Sequence, residues 1–145
     1  VGEVRGVAVL DDFAHHPTAV RETIDAVRGA YAGRRVWAIF EPRSNTSKRN
    51  IFAKEFAAAL ALADKTIVAG VYQPERVPED QRLSVEDLVG EINRIGGDRR
   101  ALTLADSAAI AEYVARHSRA GDVLLVMSNG GFDGAQDKIL QALAG

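Results

Sequence analysis

Two carboxylates and two imidazoles fall within six consecutive positions, Asp11-Asp12-Phe13-Ala14-His15-His16, although the chain of 145 residues holds only three histidines. Carboxylate oxygens and imidazole nitrogens are ordinary ligands of divalent metals. One chemistry open to the segment is therefore a small metallohydrolase using Asp11, Asp12, His15 and His16. Adjacent histidines are expected to point apart, however, and no H-x₃-H or E-x₂-H partner occurs elsewhere, which disfavours a metal held by protein groups alone. Pro17 follows directly, and proline suits the first position of a helix. A helix start offers unpaired amides and the positive end of the dipole, an environment that favours phosphate or carboxylate. A polar ligand there would meet a donor in His15 and, in Asp12, an acceptor for sugar hydroxyls. The plain alternative is that Asp11 or Asp12 satisfies backbone amides in a turn and that His16 caps the helix.

Two further polar segments have comparable chemistry. In Glu41-Pro42-Arg43-Ser44-Asn45-Thr46, Arg43 joins Lys48 and Arg49 in a positive cluster within a chain of formal net charge −2. The planar fork of arginine suits carboxylate or phosphate, so an anionic ligand is the functional reading and a solvated turn the plain one. Ser128-Asn129-Gly130-Gly131-Phe132-Asp133-Gly134 offers either left-handed turns or a close approach of ligand to backbone. It is neither a GxGxxG fingerprint nor a Walker loop. No G-x₄-G-K-[ST] occurs anywhere, so the usual triphosphate cradle is missing from this sequence.

The elements that must carry these segments alternate along the chain. Apolar runs at Val7-Ala8-Val9-Leu10, Val36-Trp37-Ala38-Ile39-Phe40, Thr66-Ile67-Val68-Ala69, Ala101 to Leu104 and Val123-Leu124-Leu125-Val126-Met127 read as strands, and an uninterrupted run implies cover on both faces. Helical spacing connects Val20, Ile24 and Val27; Phe52, Phe56 and Leu60; Val85, Leu88, Val89, Ile92 and Ile95; Ile110, Tyr113 and Val114; and Ile139, Leu140 and Leu143. Gly29 and Gly33 bracket one break, Ser84 opens the third helix and Gly96-Gly97 closes it. Residues 72–82 hold two of the four prolines, lack periodicity and form a long loop. The pattern predicts one α/β domain, a three-layer Rossmann-like arrangement with a mainly parallel sheet of about six strands flanked by helices. Ligands of such sheets bind beyond the carboxyl ends of the strands, where all three polar segments fall. Trp37, inside an apolar strand, reads as core, and His117, near a helix end, as surface.

Composition narrows the function classes. At 47% apolar residues the chain can bury an ordinary core. A pI near 5.9 disfavours a polyanion-binding role. The lack of cysteine removes disulfides, thiolate metal sites and thiol nucleophiles, and suits a reducing cytoplasm. No window approaches the ~18 apolar residues of a membrane span. The start at Val1, without an initiator methionine and already strand-like, suggests a piece of a longer polypeptide.

With these segments located, DDFAHHPTAV resembles the D-[YF]-A-H-H-P-T motif that opens the C-terminal domain of the Mur ligases. The resemblance runs over nearly the whole chain. Within that family, the pairing of EPRSNT with VMSNGGF is similar to the branch that joins a murein tripeptide, L-alanyl-γ-D-glutamyl-meso-diaminopimelate, to UDP-N-acetylmuramate in peptidoglycan recycling. The HHP motif is shared with the L-alanine-adding branch, which is the alternative. The resemblance implies a bacterial, cytoplasmic, ATP-dependent ligase forming an amide through an acyl phosphate. An N-terminal domain would hold the UDP-sugar and a central domain the ATP and Mg²⁺; neither is in this sequence, and the isolated domain is expected to be inactive. It further implies that Asp12, His15 and Arg43 face the nucleotide and that Arg43, Asn45, Ser128, Asn129 and Phe132 border the acceptor, with no metal ligand and no certain catalytic group here. A third reading is an interaction domain without a small-molecule site.

Overall fold

Five apolar residues in succession leave a strand no solvent face, and every residue of β3 (Val36–Phe40) is 0% exposed. The computed structural model describes residues 2–43, 48–71, 73–97 and 100–145. Around β3 lie β1 (Gly2–Val4), β2 (Val7–Asp12), β4 (Lys65–Ala69), β5 (Ala101–Leu104) and β6 (Val123–Met127), in the spatial order β1-β2-β6-β3-β4-β5. All neighbours run parallel except β1, which pairs antiparallel with β2. Arg5 and Gly6 turn that hairpin, both with positive φ (53° and 78°), as a tight two-residue connection requires. The sequence had marked the first residues as strand-like; the antiparallel edge is what the structure adds.

Side chains alternate across the sheet and build two cores. Ala38, Phe40, Leu125 and Met127 face α1 (Pro17–Ala30), α2 (Ala53–Leu60) and α3 (Val85–Gly96). Trp37, Ile39, Leu124 and Val126 face α4 (Ser107–His117) and α5 (Ala135–Ala144). The expected three layers are present, and Trp37 is core. Its indole N–H reaches the carboxylate of Asp122 at 3.1 Å, which satisfies the one polar group that burial would otherwise strand. His117 is exposed at the end of α4.

Helix boundaries follow local chemistry. Pro17 begins α1, and Ser84 caps α3 by accepting the Asp87 amide on its hydroxyl oxygen at 3.2 Å. Ser84→Ala is expected to lower the unfolding free energy by about 1 kcal/mol, seen as an earlier urea midpoint with an unchanged slope. Three expectations need correction. Ile95, placed on one face of α3 with Val85, Leu88, Val89 and Ile92, is 46% exposed in the last turn of that helix. Gly29 does not break α1, which continues through Ala30. Within residues 72–82, the segments Pro74–Arg76 and Glu79–Gln81 each form one turn of 3-10 helix.

Candidate functional site

The strand order explains why three distant segments meet. The chain leaves β2, builds β3, β4 and β5 to one side, and returns to place β6 between β2 and β3. Reversal of winding direction opens a crevice at the carboxyl ends, and the three turns here follow the three central strands. Their ends are level: Met127 of β6 is in register with both Asp12 of β2 and Phe40 of β3. The amide of Ser128 then donates to the Asp12 carbonyl at 3.2 Å, and that of Glu41 to the Met127 carbonyl at 3.1 Å.

Side chains continue the link. Ser128 is buried, and its hydroxyl donates to Glu41 Oε1 at 2.7 Å while its oxygen accepts the Gly130 amide at 3.1 Å. Arg43 stands 3.8 Å from the same Glu41 oxygen and lies across Gly130, in the space that a β-carbon would occupy. Asn129 Oδ1 is buried and has no hydrogen-bond partner among the described residues. A cavity of about 150 Å³ opens at the rim, with Asp11, Asp12, Phe13, Ser128, Gly130 and Phe132 among its walls. The Phe132 side chain is 2% exposed, so it offers the cavity a wall, not a projecting group.

The DDFAHHP segment divides its groups between turn and surface. Asp12 Oδ1 accepts the Ala14 amide at 2.8 Å, and Asp11 accepts from Gln136 at 3.0 Å. His15 Nδ1–H donates to the Phe13 carbonyl at 2.7 Å, which leaves Nε2 as the ring nitrogen not used in that bond. His16 occupies the cap position of α1, but its side chain makes no cap hydrogen bond. The two rings do not point apart as expected; they lie side by side with centroids 4.6 Å apart. Among the described residues no group of three His, Asp or Glu converges as metal ligands would, which weighs against the metallohydrolase reading.

On the other flank, Lys48 is buried, and burial followed by the nearby Arg76 charge lowers its pKa; Arg43 and Arg49 act in the same direction and Glu75 opposes them. Arg76 thus joins Arg43 and Arg49, the partners read from the sequence, among the positive charges that act on Lys48. Asn45 lies outside the described residues. Sequence reasoning did not single out Glu41 as the residue that joins the turns after β3 and β6. The available signal was an acid placed directly after five buried strand residues, a position where a carboxylate is retained only if it is hydrogen-bonded.

A doubly covered, mainly parallel sheet with polar turns gathered at its central switch point defines a three-layer α/β domain of Rossmann-like fold, and comparisons with known proteins give the family. The chain belongs to the family described as "Mur ligase, glutamate ligase domain", whose profile matches residues 1–130. It is 40% identical over 144 residues to the UDP-N-acetylmuramate--L-alanyl-gamma-D-glutamyl-meso-2,6-diaminoheptandioate ligase of Escherichia coli (strain K12), covering 99% of this chain and 29% of that protein. It is 33% identical over 141 residues to a UDP-N-acetylmuramate--L-alanine ligase of Lachnoclostridium phytofermentans, covering 97% of this chain and 29% of that protein. The crystal structure of the murein peptide ligase mpl from Psychrobacter arcticus superimposes with a TM-score of 0.81 at 34% identity, over 99% of this chain and 29% of that one. The chain thus spans under a third of the length of these relatives. No helix among the described residues is long and apolar enough to cross a membrane.

Proposed function

We propose that this chain is the C-terminal domain of a cytoplasmic ATP-dependent ligase that joins L-alanyl-γ-D-glutamyl-meso-diaminopimelate to UDP-N-acetylmuramate in peptidoglycan recycling. The observation that carries the reading is the meeting of the turns after β2, β3 and β6 at one rim, with Arg43 laid over Gly130 and Glu41 bonded to Ser128. ATP, bound with Mg²⁺ mainly by a central domain of the whole protein, supplies the phosphoryl group that activates the muramate carboxylate as an acyl phosphate. This chain contributes position and exclusion of water. Asp12, the last residue of β2, and His15, in the turn that follows it, face the nucleotide, and Arg43 brings a planar cation to phosphate or to a carboxylate of the peptide. Asn129 Oδ1, a buried acceptor, suits an N–H of the incoming amine. Asn45, outside the described residues, is assigned to the acceptor on the family resemblance alone. Closing such a rim over an acyl phosphate protects it from hydrolysis and fixes the amine for attack.

The similarity to an L-alanine ligase at 33% identity makes free L-alanine the competing acceptor. The test is ligation by the whole protein with ATP, Mg²⁺ and UDP-N-acetylmuramate, offering the tripeptide or L-alanine in separate reactions. Product with the tripeptide and little with L-alanine is expected. The reverse preference would move the protein to the L-alanine branch, and turnover by the 145-residue domain alone would overturn the assignment of a dependent domain.

A further inference from the structure

The turn that follows β6 adopts a costly conformation. Phe132, Asp133 and Gly134 all have positive φ, at 50°, 50° and 69°. Glycine bears this freely, but each of the other two carries backbone strain, and a bulky aromatic is a true outlier there. Two groups hold the turn. The Phe132 ring is packed into the core beneath α4 and α5. The Asp133 carboxylate accepts from Lys138 Nζ at 2.9 Å and from the Ser107 hydroxyl at 3.3 Å, while Lys138 Nζ also donates to Ser107 Oγ at 2.8 Å. Ser107 is 2% exposed at the first turn of α4, and Lys138 lies on α5, so the triangle ties the turn to both helices of that layer.

We infer that Asp133, held by Lys138 and Ser107, is a positioning residue that sets the acceptor side of the rim. The inference rests on the ligase reading above. A strained turn persists only where its surroundings over-determine it, and such strain collects at sites that need a fixed geometry. What this turn fixes lies a few residues upstream: the Ser128 hydroxyl on Glu41, the buried Asn129 oxygen and the Gly130 backbone beneath Arg43. The Asp12 carboxylate and the His15 ring are held by hydrogen bonds inside their own turn, to the Ala14 amide and the Phe13 carbonyl, and the links from the far side reach only the Asp12 backbone, from the Ser128 amide, and Asp11, from Gln136. The clamp therefore acts more on the acceptor side than on the nucleotide side. The hydrogen bond and charge of Lys138, with the Ser107 hydroxyl, hold the Asp133 carboxyl below its usual range, consistent with a carboxylate ionised in the clamp.

Substitutions in the whole protein separate clamp from strain. Asp133→Gly removes both the carboxylate and the conformational cost. Asp133→Asn keeps an acceptor oxygen on a residue that tolerates left-handed backbone, and Lys138→Met breaks the ion pair from the other side. Two rates are read: ligation of the tripeptide, and acyl-phosphate formation trapped by hydroxylamine without any acceptor. Asp133→Gly and Lys138→Met are expected to raise the tripeptide KM on the order of tenfold while the KM for ATP and the trapping rate stay within about twofold, and Asp133→Asn should recover most of the loss. Asp133→Gly with the parent's tripeptide KM would overturn the inference, as would a parallel rise in the KM for ATP. A parent protein that ligates no acceptor would sink the functional reading itself, and this inference with it.

Discussion

Gly130→Ala is expected, on the ligase function proposed above, to reduce kcat/KM for ligation by the whole protein on the order of a hundredfold while leaving its melting temperature nearly unchanged. The backbone is no obstacle, since Gly130 is not among the glycines held at positive φ. The obstacle is Arg43, whose Nε, Cδ and Cζ occupy the volume that the new methyl group would take. A long, partly exposed side chain yields before a sheet does, so Arg43 swings away and the fold survives. What is lost is a guanidinium placed beside Glu41 and over the turn after β6. A misplacement of about 1 Å at a reacting centre can cost two orders of magnitude, which sets the size of the effect. Arg43→Lys makes the complementary case: it retains the charge, gives up the planar fork and should fall between parent and Gly130→Ala. Steady-state kinetics beside a thermal melt measure both quantities, and a Gly130→Ala enzyme with the parent's kcat/KM would show that Arg43 need not lie where it does.

Local pattern made the strands and the polar turns at one rim legible, because burial and turn chemistry are written in neighbouring residues. β3 and β6 were uninterrupted apolar runs, and the polar segments that follow them could be recognised as rim turns before any coordinates. The order of strands had no such signature. Pairing of β6 with both β2 and β3 joins residues more than eighty positions apart, and nothing near Val123 announces which partners it will take. The same limit hid the clamp, since Ser107 and Asp133 are 26 residues apart and meet only because α4 and α5 share a layer. Glu41 was visible as a letter, yet its role depends on Ser128, 87 positions away. Ile95 failed for a different reason: helical periodicity assigns a face but does not say how far along the helix that face stays covered.

Asp122→Ala is expected to be the most destabilising of these substitutions, by about 3–5 kcal/mol, because it strands several donors at once. The carboxylate of Asp122 precedes β6 and is 4% exposed. Oδ2 accepts from the Arg35 guanidinium at 2.7 Å, the Arg119 amide at 2.9 Å and the Trp37 indole at 3.1 Å, and Oδ1 accepts Arg35 Nε at 3.1 Å. Removing it leaves a 0%-exposed indole N–H without its acceptor and the Arg35 charge, which also sits 5.4 Å over the Trp37 ring, without its counterion. Against a typical domain stability of roughly 5–15 kcal/mol, that loss is large enough to shift the urea midpoint well outside error. The same carboxylate sets a pH dependence. Burial pushes its pKa up, but the Arg35 hydrogen bond, the Arg119 amide, the Arg35 charge and the Trp37 N–H pull it down further, so it ends below its ordinary range. A group with a depressed folded pKa contributes its full stabilisation above the unfolded value, near 3.9 for aspartate, and loses it as pH falls through the folded value. Stability of the parent should therefore decline on acidification below about pH 4, and Asp122→Asn, which has no charge to lose, should show a shallower decline over that interval. An Asp122→Asn protein that follows the parent's acid profile would assign the lability to other carboxylates, and the Arg35–Asp122 pair would then act through packing and hydrogen bonds alone.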